Sequence, residues 1–366
     1  MNEAIVHSGK RGYANLCAYY FGKKGGKAVV FVFIFAQFMA CVVYSTLIWS
    51  FVSSFIEDFG WHTFTKSMNE HGHEQIDEYA SDSMIWRVST VIPFGILIFP
   101  VLMLRNLSGL RYLSLISFLF IMYTIVLAII QTPWYYDIYS KKPDYGFELF
   151  VKPFKIKWLQ GIAVIAMSYV CHPLFFNVRK ELIISDERRI KKVIVGAIVF
   201  MMVVYSLIVV AAYISLGDTF QVPVFTERPT LTPGDMDIPM KIAKGGFLLV
   251  VITCIPVNMY PAREQIMSFF KIEDRQRNRV LLTLCLITVA FTIAILYPNV
   301  LGLFGIFGGI FASAVGLIIP FLIKIRILEA KYGLKWYSFH KFWYIFIMVT
   351  VMTIGSGSVY VSLFNN

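Results

Sequence analysis

Nine long apolar stretches constrain this chain of 366 residues more than any other feature. A helix needs about 17 to 25 apolar residues to cross the hydrocarbon core of a bilayer, and each stretch reaches that length. Soluble domains of this size do not combine 58% hydrophobic and only 15% charged residues. The sequence therefore predicts an all-α polytopic membrane protein with nine transmembrane helices. The predicted spans, numbered one to nine, are 28–56, 88–104, 110–131, 158–180, 191–216, 242–268, 280–297, 300–323 and 342–364.

These spans form a single predicted transmembrane domain, 28–364, which a basic segment, 1–27, precedes. That segment lacks the apolar core of a cleavable signal peptide. If it lies in the cytosol, alternating spans place about two thirds of the 33 lysines and arginines on the cytoplasmic side, which is the positive-inside pattern. The net charge of +11 is thus explained by orientation in a lipid bilayer, and we expect no nucleic-acid partner.

Span four carries polar residues at its centre, followed by Pro173. Proline has no N–H, so in a continuous helix the carbonyl of Tyr169 would lose its donor. Irregular backbone at membrane depth is tolerated only where it lines a cavity or is buried in protein. The pattern predicts a discontinuous helix at a binding site, as in many secondary transporters. A kinked helix that bonds to its neighbours is the alternative. The predicted substrate-binding residues here are Ser168, Tyr169, Val170, Cys171 and His172.

Span one has a polar face. At helical spacing Gln37, Cys41 and Tyr44 lie on the same side of the helix. Hydrogen bonding between helices is the default role of such a face. If span four forms a binding site, we expect Gln37 and Tyr44 to line its opposite wall and to contact substrate.

Span six is predicted to be irregular, because Pro256 and Pro261 would leave two carbonyls of a regular helix without donors. We expect Asn258 to close the substrate site from this span. Thr253 and His172 are the predicted ion-coupling residues. The imidazole of His172 is included because it titrates near neutral pH, although a structural hydrogen bond is the favoured role for it.

Span eight contains small residues at helical spacing. Gly305 and Gly309 form a GxxxG pattern, which Ser313 and Gly316 continue. This pattern predicts a surface on which another helix packs closely.

We find neither catalytic residues nor a metal site in the sequence. The only histidine within a span is His172, and no acidic residue lies near it at membrane depth, which disfavours a membrane enzyme. The motif EHGHE at 70–74 offers metal-binding side chains, but no further ligand cluster is spaced to complete a four-coordinate site. A solvated loop is the favoured interpretation of that motif.

Several segments together resemble the amino acid/auxin permease family, also called the amino acid transporter transmembrane family. They are MSYVCHPLFFNVRKEL in span four, IPVNMYPAREQI in span six and the glycine-rich span eight ending in Pro320. YANLCAYYFGKKGGK and LRNLSGLRYLSLIS resemble the family's segments before its third helix and between its fourth and fifth helices. The family includes vesicular, proton-coupled and sodium-coupled neutral amino acid carriers.

The resemblance implies a five-plus-five inverted-repeat (LeuT-like) transporter fold of eleven helices. Aligned in this way, the chain supplies the third to the eleventh helix and lacks the first two. Span four corresponds to the sixth helix, which the family breaks at its substrate site. The chain would then hold half of that site, either because the sequence begins late or because it is a reduced paralogue.

The resemblance favours a secondary active transporter of neutral amino acids that works by alternating access and symport. It implies a proton or a sodium ion as coupling ion and no further cofactor. A plasma membrane or a vacuole- or lysosome-type membrane is the expected location. The alternatives are a non-transporting amino acid sensor or an inactive truncated paralogue of the same fold, with a membrane enzyme as the third and least favoured reading.

Overall fold

A computed structural model of the chain describes residues 4–5, 8–9, 13–57, 66–68, 74–76, 84–103, 111–141, 156–169, 187–217, 238–297, 299–332 and 339–364. Helices dominate these residues, and an antiparallel hairpin pairs β1, Lys66–Met68, with β2, Glu74–Ile76. The helices are α1 Tyr13–Glu57, α2 Met84–Leu102, α3 Arg111–Tyr139, α4 Lys157–Ser168, α5 Glu187–Leu216, α6 Ile238–Phe270, α7 Gln276–Leu296, α8 Val300–Ile306, the π-helix π1 Phe307–Ile318, α9 Ile319–Tyr332 and α10 Phe339–Phe364.

Seven candidate spans among the described residues are long and apolar enough to cross a membrane. Two shorter apolar helices, Val91–Leu102 and Trp158–Ser168, lie within predicted spans two and four. Helices satisfy their own backbone hydrogen bonds, which a bilayer requires of any segment that crosses it. The prediction of an all-α polytopic membrane protein is confirmed, while the number of nine spans stays a prediction.

The largest helix–helix interface joins α1 to α6. Phe51 of α1 stacks on Phe247 of α6 with ring centroids 5.1 Å apart, and the amine of Lys244 donates to the Ser54 hydroxyl over 2.8 Å. Buried apolar side chains of α1, α2, α6, α7 and the segment from α8 to α9 complete one core. This interface therefore holds the centre of the helical domain together.

The prediction that span six is irregular is wrong. Helix α6 runs without a break from Ile238 to Phe270 and includes both Pro256 and Pro261. Both prolines are buried. Prolines are tolerated in membrane helices when neighbouring helices or side chains satisfy the freed carbonyls. Dense packing of α6 against α1 and α3 supplies such neighbours.

Span eight consists of three helical segments in sequence. Helix α8 begins where the side-chain oxygen of Asn299 accepts a hydrogen bond of 2.8 Å from the Gly302 N–H, which is a normal N-cap. The next 12 residues form the π-helix π1, and α9 then continues to Tyr332. Because π-helical turns are rare and concentrate at functional sites, π1 marks this span as specialised.

Glycines bring α4, π1 and α10 into close contact. A Cβ atom added to Gly308 of π1 would lie 2.6 Å from the Ala163 carbonyl oxygen of α4. A Cβ added to Gly309 would lie 2.5 Å from the Gly355 carbonyl oxygen of α10. The same side of span eight thus forms the close-packing surface that its small residues predict.

Polar side chains reinforce this three-helix contact. The amide of Gln160, which is buried on α4, donates to the Leu301 carbonyl over 3.2 Å and to the Ser362 hydroxyl over 3.1 Å. The Ser358 hydroxyl of α10 donates to the Gly305 carbonyl over 2.9 Å. These bonds fix the short helix α4 against α8 and α10.

We expect Gly309→Ala to destabilise the protein, because its new methyl group meets main-chain atoms of α10 that cannot rotate away. Overpacking of this kind costs about 1–3 kcal/mol. Gly196→Ala in α5 is the matched control, since nothing lies within 4 Å of its added Cβ. That change should leave the stability unchanged or raise it by up to about 1 kcal/mol. Thermal unfolding of both variants in detergent measures the difference, and equal midpoints would contradict the close contact.

Candidate functional site

Helix α4 is short for a helix of a membrane protein. It has 12 residues and is therefore about 18 Å long, whereas the hydrocarbon core of a bilayer is about 30 Å thick. Its last residue is Ser168, and Tyr169 leaves helical geometry with φ −98° and ψ 3°. The Ser168 hydroxyl donates back to the Val164 carbonyl over 3.0 Å. The carbonyl end of a helix carries partial negative charge, so this terminus can attract a cationic group.

Tyr169 contacts the next helix in the chain. Its ring lies edge-to-face with the ring of Tyr205 on α5, with centroids 5.6 Å apart. Tyr205 is 36% exposed and Tyr169 is partly buried. The end of α4 is thus lined by an aromatic pair that is only partly covered by protein.

The predicted wall residue Tyr44 lies on α1 where that helix meets α6, close to the thiol of Cys254. One turn earlier on α1, the Cys41 thiol donates to the Ile255 carbonyl over 3.8 Å. Tyr44 and Cys254 are thus neighbours across α1 and α6, and Tyr169 and Tyr205 form a second pair at the end of α4.

Gln37, the second predicted wall residue, is 3% exposed. Its side-chain oxygen has no hydrogen-bond partner among the described residues. It lies one turn before Cys41 on the side of α1 that faces α6. An unpaired buried acceptor of this kind costs about 1–3 kcal/mol unless a ligand, an ion or a water satisfies it.

The two predicted residues of span six have different surroundings. The Thr253 hydroxyl donates to the Leu249 carbonyl over 2.8 Å and accepts from the Ser117 hydroxyl of α3 over 3.2 Å. The Asn258 amide nitrogen donates to the Cys254 carbonyl over 2.9 Å. The side chain of Asn258 thus bonds to the main chain of its own helix, whereas Thr253 contacts α3.

Three predicted substrate residues, Val170, Cys171 and His172, lie outside the described residues. The ion-coupling role given to His172 and Thr253 stays a prediction. Within the ranges that the structure describes, no group of three or more histidine, cysteine or acidic side chains could hold a metal ion.

Two residues of the site were missed by the sequence analysis. The sequence analysis selected Thr253 as a site residue and did not select its neighbour Cys254. In the structure, Cys254 is the residue that lies close to Tyr44. Tyr205 and its neighbour Ser206 are the polar residues in the otherwise apolar sequence MMVVYSLIVV of span five. The position of Tyr205 in the middle of an apolar span could have indicated a site residue, because polar side chains there usually face a partner.

Comparison with known proteins identifies the family. The family model described as "Transmembrane amino acid transporter protein" matches residues 2–363. A segment of 181 residues, 49% of this chain, is 23% identical to sodium-coupled neutral amino acid transporter 4 of Pongo abelii and 22% identical to that of Homo sapiens. The match spans only 32% of the length of either relative. The resemblance drawn from the sequence is confirmed: the chain belongs to the family of transmembrane amino acid transporter proteins.

Proposed function

We propose that the protein is a secondary active transporter of neutral amino acids that works by alternating access, with a proton or a sodium ion as the symported ion. The observation that carries this proposal is that α4, inside predicted span four, ends at Ser168, next to the contact of Tyr169 with Tyr205. Helices that end at membrane depth supply backbone dipoles to substrates in secondary transporters. Membership of a transporter family and similarity to sodium-coupled neutral amino acid transporters support the same function.

The geometry suggests how a zwitterion binds. The carbonyls of the last turn of α4 would accept hydrogen bonds from the ammonium group of the substrate. The partly exposed rings of Tyr169 and Tyr205 would contact an uncharged side chain. Tyr44, close to Cys254, would close the far side. A neutral side chain would suit this surface, because the aromatic rings and the phenolic hydroxyl that form it carry no charge.

The proposal includes the cellular setting. A cytosolic N terminus follows from the positive-inside distribution of lysine and arginine. A plasma membrane or a vacuole- or lysosome-type membrane is where such a carrier would act.

We expect the purified chain, reconstituted into proteoliposomes, to take up radiolabelled neutral amino acids when a proton or sodium gradient is imposed. Protein-free liposomes and liposomes without a gradient are the controls. Folded protein that takes up none of the neutral amino acids would contradict the proposal. Thermal stabilisation by an amino acid without any uptake would instead indicate a non-transporting sensor.

We expect Tyr44→Phe to weaken the apparent affinity for substrate about two- to tenfold, the cost of one hydrogen bond in the site. Tyr123→Phe is the matched control. The Tyr123 hydroxyl also bonds to α6, at the Pro239 carbonyl over 3.1 Å, but about 22 Å along the helix from Cys254. Initial uptake rates over a range of substrate concentrations measure the effect. Equal losses in both variants would show that Tyr44 acts only in helix packing.

A further inference from the structure

A cavity of about 320 Å³ lies where α6 ends and the chain turns into α7. This volume is at the lower end of the range for small-molecule sites. Ser268, which lines the cavity, lies about 21 Å along α6 from Cys254, so the cavity is separate from the candidate site. The lining residues come from the last two turns of α6 and from the turn that follows: Glu264, Met267, Ser268, Lys271, Ile272 and Asp274.

Lys271 ends α6 in a conformation that lysine rarely adopts. Among the residues that the structure describes, it is the one non-glycine residue with a positive φ, 53°. The Ile272 N–H donates to the Met267 carbonyl over 2.9 Å, and the Lys271 N–H donates to the Ser268 carbonyl over 3.4 Å, which is the Schellman pattern. Glycine is usual at this position, because a side chain there costs free energy. The strained lysine therefore points to a role for its ammonium group.

Two opposite charges of the cavity are not joined to each other. The Glu264 carboxylate and the Lys271 amine form no ion pair, with each other or with any other residue that the structure describes. They are seven residues apart, which is two turns of helix, so both lie on the side of α6 that lines the cavity. The carboxylate of Asp274 is neutralised by the Arg279 Nε 2.9 Å away. Glu264 and Lys271 are thus available to a ligand.

Hydrogen bonds fix the wall of the cavity in place. The Asn278 amide donates to the Glu273 carbonyl over 3.0 Å and holds the turn between the helices. The buried Arg263 donates to the Leu102 carbonyl of α2 over 2.7 Å and to the Thr283 hydroxyl of α7 over 3.3 Å. The end of α6 is therefore fastened to two other helices. A ligand would not have to order this backbone when it binds, which favours its affinity.

A small zwitterion is the ligand that these groups fit. An anion such as phosphate would be repelled by the Glu264 carboxylate, and a simple cation would be repelled by the Lys271 ammonium. An amino acid carries both charges and can pair with each residue. The Ser268 hydroxyl can add a hydrogen bond. Met267 and Ile272 would contact an uncharged side chain.

We propose that this cavity is a second binding site for an amino acid, in which Lys271 binds the carboxylate and Glu264 binds the ammonium group. The site goes beyond the proposed function, because binding there needs no transport. With the cytosolic N terminus and the nine spans proposed above, α6 ends on the cytosolic side of the membrane. The site would then bind amino acids of the cytosol.

The methyl group of Met267, a residue that is 6% exposed and lines the cavity, is a probe specific to this site. We expect its NMR signal, in protein labelled with carbon-13 at methionine methyl groups, to shift and saturate when L-alanine is titrated in an uncharged detergent. Met267→Leu identifies the signal. Propionate and ethylamine each carry one of the two charges, and each should bind at least about tenfold more weakly than L-alanine.

Lys271→Gly removes the ammonium group and suits the local backbone, so this variant should unfold at an equal or higher temperature than the wild type. Its apparent affinity for L-alanine, read at Met267, should fall about tenfold. That is the lower end for a hydrogen bond to a charged group, because the cavity is partly open to solvent. Glu264→Gln should cause a similar loss.

Two control variants test whether the effect is specific. Lys271→Arg keeps the positive charge and should keep the affinity for L-alanine within about threefold. Arg277→Gln removes a positive charge from an exposed position at the start of α7 that does not line the cavity. Its response should equal that of the wild type. Equal losses in Arg277→Gln and Lys271→Gly would indicate a general effect of charge and would overturn the site.

The remaining outcomes separate the cavity from the transport function. The site is overturned if L-alanine causes no saturable shift of Met267, if the shift is unchanged in Lys271→Gly, or if propionate or phosphate binds as well as L-alanine. A response of Met267 that weakens in Tyr44→Phe would place the ligand at the candidate site instead. Because these measurements need no flux, they can support the second site even if the uptake assay fails, and overturn it even if uptake is observed.

Discussion

Close contact between main chains at Gly308 and Gly309 is the constraint on which the candidate site depends. Helix α4 is too short to cross a bilayer, so its position has to come from its neighbours. The glycines let π1 approach both α4 and α10 at distances that any side chain would prevent. The buried amide of Gln160 then fixes α4 to α8 and α10. Together these contacts set the place where α4 ends and Tyr169 turns away.

The interface between α1 and α6 works by a different physical principle. It is mostly apolar, and among its hydrogen bonds is the one from the Lys244 amine to the Ser54 hydroxyl. A polar group without a hydrogen-bond partner costs free energy in an apolar environment. The buried unpaired oxygen of Gln37 therefore destabilises the protein, whereas an exposed oxygen would bond to water. Stability alone would favour an aliphatic residue there.

Apolar length and the positive-inside pattern were enough to predict the fold class, since a bilayer permits few alternatives to helices. The residues of the site were harder to predict. Gln37, Tyr44 and Asn258 could be proposed because polar groups in an apolar span stand out, and their role in binding stays a prediction. The choice between Thr253 and Cys254 could not be made, because adjacent residues differ by about 100° in direction and only the packed structure shows which of them faces α1. The same dependence on packing explains why Pro256 and Pro261 did not interrupt α6.

The helices around the site differ in how firmly they are joined. Main-chain contacts hold α4, π1 and α10 together, whereas α4 meets α5 through the partly exposed rings of Tyr169 and Tyr205. An aromatic pair of this kind contributes only about 0.5–1.5 kcal/mol beyond its buried area. The ring contact between α4 and α5 is therefore weaker than the main-chain contacts among α4, π1 and α10, and it is easier to rearrange. A substrate bound there would replace part of an existing contact, which is how occupancy could favour one arrangement of the two helices over another.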